Sequence, residues 1–140
     1  MLITRTARRP LTPDILPLQV ITIGQLAIIA APFEINTMVG RRLQEDVLQV
    51  LASRGVTHAV IAGLSNAYSG YVATREEYAV QHYEGASTHF GPFTSAALRQ
   101  EYDRLAQALA SGDPVAPGPA PRVLNKNNPS RQPGPDALPP

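Results

Sequence analysis

The chain has 140 residues, enough for at most one modest core, and its 12 Lys and Arg are interspersed with 11 Asp and Glu. That balance excludes binding of nucleic acid or an anionic membrane surface by bulk charge. The absence of cysteine excludes disulfides, thiolate metal sites and cysteine nucleophiles, so any metal must be held by His, Asp, Glu or a rarer ligand. Residues 1–16 read as an irregular lead. The first ten, MLITRTARRP, are basic, but the prolines of LTPDILPLQV stand where a signal peptide needs an apolar core. The longest apolar run, Leu26 to Phe33, is far shorter than the roughly 18 residues that cross a bilayer. Neither a signal peptide nor a transmembrane helix is expected.

Gln19 to Ile23 and Leu26 to Ala31 are aliphatic, β-branched runs on either side of Gly24 and Gln25, which predicts a tight hairpin of two largely buried strands. From Thr37 the period changes. Met38, Val39, Leu43, Val47, Leu48, Val50 and Leu51 recur at helical spacing, with Asn36 as N-cap and Gly55 as the stop. Ala59 to Leu64 reads as a short buried strand, so strand, helix and strand predict an α/β layer. The following stretch, SNAYSGYVATREEYAVQHYEGAST, is too polar for a core element, although Thr74 and Glu77 have capping-box spacing and predict a short helix. After Gly91 and Pro92 a second long helix is predicted, with Phe93, Ala97, Leu98, Tyr102, Leu105 and Leu109 on its packed face and Gly112 as its end. Residues 113–140 are proline-rich and aperiodic, and are expected to be disordered because they bury too little apolar area to offset the entropy of ordering.

The polar residues that stand out are Glu34 at the end of an apolar strand, the tyrosines Tyr68, Tyr71, Tyr78 and Tyr83, and the histidines His58, His82 and His89. None forms a self-sufficient motif. There is no HExxH, no GxSxG and no phosphate-binding glycine loop. On residue types alone, Glu34 is read as a helix-entry carboxylate against the following dipole, and the tyrosines as a surface loop or interface. His82 and His89, seven apart in a loop, are compatible with a metal site, but such a pair is more often incidental.

Two longer segments, AAPFEINTMVGRRL and GLSNAYSGYVATREEYAVQHYEGASTHFGP, resemble signature stretches of the neutral/alkaline ceramidase family. The resemblance runs from about Pro17 to about Leu109, so residues 17–112 look like the C-terminal portion of that family's catalytic domain, a piece of a larger mixed α/β zinc amidohydrolase. It implies one Zn2+ ion, with Glu34 and Tyr71 as two of its ligands and the others, upstream histidines, absent from this chain. A phenol is an uncommon ligand, because its pKa near 10 requires the metal to draw off the proton. Tyr83, in YEG, matches an active-site tyrosine that stabilises the tetrahedral intermediate through its hydroxyl. The implied activity is hydrolysis of ceramide to sphingosine and fatty acid by a zinc-activated water. Since only part of the ligand set is present, the isolated chain is expected to be inactive. The expected partners are ceramide and a complementing N-terminal chain, with peripheral membrane contact and no nucleic acid. The alternative is a non-catalytic module in which the tyrosine loop binds lipid or protein.

Overall fold

The structure, a computed structural model, describes residues 12–121. Residues 1–11 of the expected lead and 122–140 of the expected tail lie outside the described residues. The segment 113–121 is exposed and forms neither helix nor strand.

The architecture is mixed α/β. Strand β1 (Gln19–Ile23) turns at Gly24 and Gln25 into β2 (Leu26–Ala30), antiparallel and in a register that sets Ile21 opposite Ile28. The chain then passes through a two-residue strand, β3 (Glu34–Ile35), into helix α1 (Thr37–Leu51). It returns as β4 (His58–Ala62), parallel to β2, which completes the predicted strand–helix–strand layer and a sheet of order β1-β2-β4. A parallel return needs a crossover, and α1 with its 3-10 extension Ala52–Arg54 supplies it. Gly55 ends the turn at φ 76°, in the left-handed region.

Beyond β4 come β5 (Tyr71–Val72), α2 (Arg75–Val80), α3 (Tyr83–Ala86) and the long helix α4 (Thr94–Ser111). Helices α1 and α4 cover one face of the sheet. Ala27 and Ile29 from β2 meet Val39, Leu43, Val47 and Leu51 from α1 and Leu98, Tyr102 and Ala106 from α4. The Arg99 guanidinium spans to Asp46 through two hydrogen bonds of 2.6 and 2.8 Å, tying α4 to α1 beside that core. The buried Tyr102 hydroxyl donates to the Ala30 carbonyl at 2.7 Å, so burial costs the phenol no unmade hydrogen bond.

Five sequence expectations change. The strand expected to run buried from Ala59 to Leu64 ends at Ala62, and none of its residues is buried, because it is the other edge of the sheet and the helices leave Val60 43% exposed. The hairpin is not buried on both strands: β1 is an edge strand, and Ile21 and Ile23 are 47% and 65% exposed because the helices cover only the opposite sheet face. The polar stretch after β4 does enter the core, since β5 buries Val72, and Ala73 and Thr74 are buried beside it. On α4, Phe93 and Ala97 face outward while Ala106 packs inward, because the helix starts only at Thr94 and Phe93 serves as its exposed N-cap. Asn36 holds the N-cap position of α1 but makes no side-chain cap; its amide donates to Glu77 Oε2 at 3.3 Å instead.

Candidate functional site

The site is built around the two shortest strands. β3 and β5 pair in parallel with Glu34 opposite Tyr71 and Ile35 opposite Val72, so two residues far apart in the chain become cross-strand neighbours. The bridge is held at both ends. Glu34 N donates to Gly70 O at 3.0 Å, and Asn36 N donates to Val72 O at 3.1 Å. Gly70 sits at φ 82°, and a Cβ there would meet Ser87 O at 2.8 Å and the His89 ring at 3.0 Å, so glycine alone lets the backbone run this close. Below the bridge, Thr74 and Glu77 form the predicted capping box of α2, at 2.8 and 3.1 Å. The Glu77 carboxylate also takes the Asn36 amide, which couples the starts of α1 and α2.

Three tyrosines converge on this bridge. The Tyr68 hydroxyl donates to Glu34 Oε1 at 2.7 Å. The Tyr71 hydroxyl acts on the same carboxylate and is the largest cause holding the Glu34 carboxyl below its ordinary value, followed by Tyr68, against the desolvation that opposes them. Both phenols are raised in turn, first by the hydrogen bond to Glu34, then by desolvation and then by the charge of the carboxylate. Tyr83, the first residue of α3, stacks edge to face on Tyr71 with ring centroids 5.5 Å apart and planes at 82°, and is itself 70% exposed. Tyr78 stands on α2 and is not among the groups that shift Glu34.

An open cleft of about 510 Å³ adjoins the bridge, lined among others by Ile35, Tyr71, Glu77, Val80 and His82. Of the candidate histidines, His82 lines the cleft as N-cap of α3, His58 begins β4 and bonds Thr57, and His89 packs against Gly70 with its Nδ1 buried and unpaired. Among the described residues, no three His, Cys, Asp or Glu gather as a metal cluster. The structure thus brings together Glu34, Tyr71 and Tyr83 and leaves the histidines apart. It also adds Tyr68, which the sequence offered only as one tyrosine of a polar stretch; no spacing rule points from a loop tyrosine to a carboxylate on another strand.

The chain matches the family model described as neutral/alkaline non-lysosomal ceramidase, N-terminal, over residues 2–100. Neutral ceramidase B of Dictyostelium discoideum is 51% identical over 116 residues, which are 82% of this chain and 16% of that protein. Neutral ceramidase of Pseudomonas aeruginosa is 46% identical over 106 residues, 76% of this chain and 16% of its own length. The crystal structure of the P. aeruginosa enzyme superposes with a TM-score of 0.81 at 41% identity, covering 85% of this chain and 19% of the solved one. A second solved structure, of a ceramidase complexed with C2, also gives a TM-score of 0.81, with 18% of its chain covered. This chain therefore spans less than a fifth of the relatives and structures it resembles.

Proposed function

The chain belongs to the neutral/alkaline non-lysosomal ceramidase family, and from that membership we propose that it forms part of a zinc amidohydrolase centre that hydrolyses ceramide to sphingosine and a fatty acid. The observation that carries the reading is the β3–β5 register, which sets Glu34 against Tyr71 with the phenol acting on the carboxylate. The donor chemistry fits zinc as a partial set. A carboxylate oxygen is an ordinary zinc ligand, and although the Glu34 anion raises the Tyr71 phenol above its ordinary value, a divalent cation acts in the opposite direction. Glu34 and Tyr71 would hold the ion, and further donors would come from other parts of the family's domain, since among the described residues no three His, Cys, Asp or Glu gather as a metal cluster. When bound, zinc supplies Lewis-acid polarisation and makes water acidic enough to ionise near neutral pH.

The chain's own residues supply the rest of the chemistry. Glu34 is ionised at neutral pH, the more firmly for its two phenol partners, so it accepts and does not donate there. Tyr83 stands at the mouth of the site, its ring oriented by the stack on Tyr71, and donates from its hydroxyl to the amide oxygen as that oxygen gains charge. Ile35 and Val80 give the adjoining cleft apolar wall suited to aliphatic substrate.

Because affinity and reactivity depend on a closed ligand set, the isolated chain is expected to bind zinc weakly and to be inactive. The test is to express residues 1–140, add zinc, and measure fatty-acid release from a ceramide, alone and with a polypeptide covering the preceding part of a relative's catalytic domain. The expected result is turnover only in the complemented sample, abolished by Glu34→Ala and by Tyr71→Phe. Turnover by the chain alone, or complemented turnover insensitive to both substitutions, overturns the proposal.

A further inference from the structure

We propose that Tyr68 is a positioning residue for Glu34, its hydroxyl fixing the orientation of the carboxylate that faces Tyr71; the inference rests on the reading of Glu34 and Tyr71 as zinc ligands. The contact itself is short and charge-assisted, a phenol donating to Glu34 Oε1 at 2.7 Å. Occupying one carboxylate oxygen removes the rotation of a side chain that otherwise samples several torsions. Outer partners of this kind orient ligands in metal sites generally.

Packing does not account for the placement of Tyr68. The residue is 49% exposed and has no part in the hydrophobic core, so its ring contributes little to the stability of the fold. The loop that carries it, in contrast, is stitched to the very segment that carries Glu34. Leu64 N donates to Phe33 O at 3.1 Å, Ser65 N to Ala31 O at 2.9 Å, and Ser69 N to Pro32 O at 2.9 Å. The loop from Leu64 to Gly70 is thus tied at both of its ends to Ala31–Glu34, with Gly70 O taking the Glu34 amide at its far end. Ser69, next to Tyr68, is fully buried and donates its hydroxyl to Pro13 O at 2.9 Å, which pins the loop from a second side. Leu64 adopts a left-handed φ of 57°, which a leucine holds only when its surroundings impose it, and Asn66 follows at 63°, where asparagine is readily accommodated. A stiff, strained loop that delivers an exposed phenol to one carboxylate oxygen is what positioning requires.

The experiment uses the 140-residue chain with 13C-labelled glutamate carboxyls, titrated with zinc ion alone and followed at the Glu34 carboxyl resonance, which reports binding into the millimolar range. Thermal melts are run in parallel on wild type, Tyr68→Phe and Glu34→Ala. The expected result is that Tyr68→Phe weakens zinc binding about 10- to 100-fold while lowering the melting temperature no more than Glu34→Ala does, since both remove the same hydrogen bond. Full wild-type affinity in Tyr68→Phe overturns the inference and leaves the ligand reading standing, as does a melting temperature well below that of Glu34→Ala, which marks a merely structural role. A wild-type Glu34 resonance that zinc does not move, or zinc affinity unaltered in Glu34→Ala, overturns the ligand reading, and the role of Tyr68 falls with it.

Discussion

Replacing Gly70 by alanine is the most direct way to disturb the Glu34–Tyr71 bridge without touching either side chain. Two costs add. The first is conformational: φ is 82°, and holding an L-residue there costs about 1 to 2 kcal/mol. The second is steric, since the new Cβ would stand 2.8 Å from Ser87 O and 3.0 Å from the His89 ring. Ser87 O already accepts from Tyr71 N at 3.2 Å, so moving it away strains a bond worth about 0.5 to 1.5 kcal/mol. The expected loss is about 1.5 to 3.5 kcal/mol, a fall in melting temperature of roughly 6 to 25 °C for a domain of this size. Gly55→Ala is the control, because Gly55 has φ 76° but open space where its Cβ would go. It carries the conformational cost alone, and the effect of alanine on the unfolded chain is common to both variants and cancels. Urea and thermal unfolding of wild type, Gly55→Ala and Gly70→Ala give the steric part by difference. If Gly70→Ala is no less stable than Gly55→Ala, the bridge tolerates a side chain and the reasoning fails.

Tyr102→Phe removes a buried hydroxyl and strips the Ala30 carbonyl of that donor, for an expected loss of about 1 to 2 kcal/mol in urea unfolding; a loss below about 0.3 kcal/mol contradicts it. The Glu34 carboxyl is depressed from an ordinary 4.5, so its contribution to stability is complete above that pH and disappears as pH falls through the lowered folded value. The stability difference between wild type and Glu34→Gln should therefore be flat near neutrality and shrink only below about pH 4.5, as read from urea unfolding at stepped pH. Ile21 and Ile23 expose an apolar strip on an edge strand, so changing both to lysine should lower self-association in sedimentation velocity; an unchanged sedimentation profile would mean that another surface drives association.

What the sequence determined by itself were the features written in local signals. The hairpin at Gly24, helix α1 with its stop at Gly55, the Thr74–Glu77 capping box and the end of α4 at Gly112 each depend on a few adjacent residues. Periodicity, turn dihedrals and caps act over one or two turns of chain, so they are legible without knowing what packs against what. The signature stretches likewise marked the family, and offered Glu34, Tyr71 and Tyr83 as candidates. Tertiary structure alone decided which face of an element is covered. Ile21 and Ile23 look like core residues, and they are exposed because both long helices lie on the other side of the sheet. It also decided the site. A two-residue strand such as Tyr71–Val72 is too short to carry any period, and its pairing with Glu34–Ile35 depends on a close backbone approach at Gly70 and a loop tied to Ala31–Phe33. Tyr68 meets Glu34 for the same reason: the contact belongs to the path of the backbone through space, which neighbouring residues in the chain do not encode.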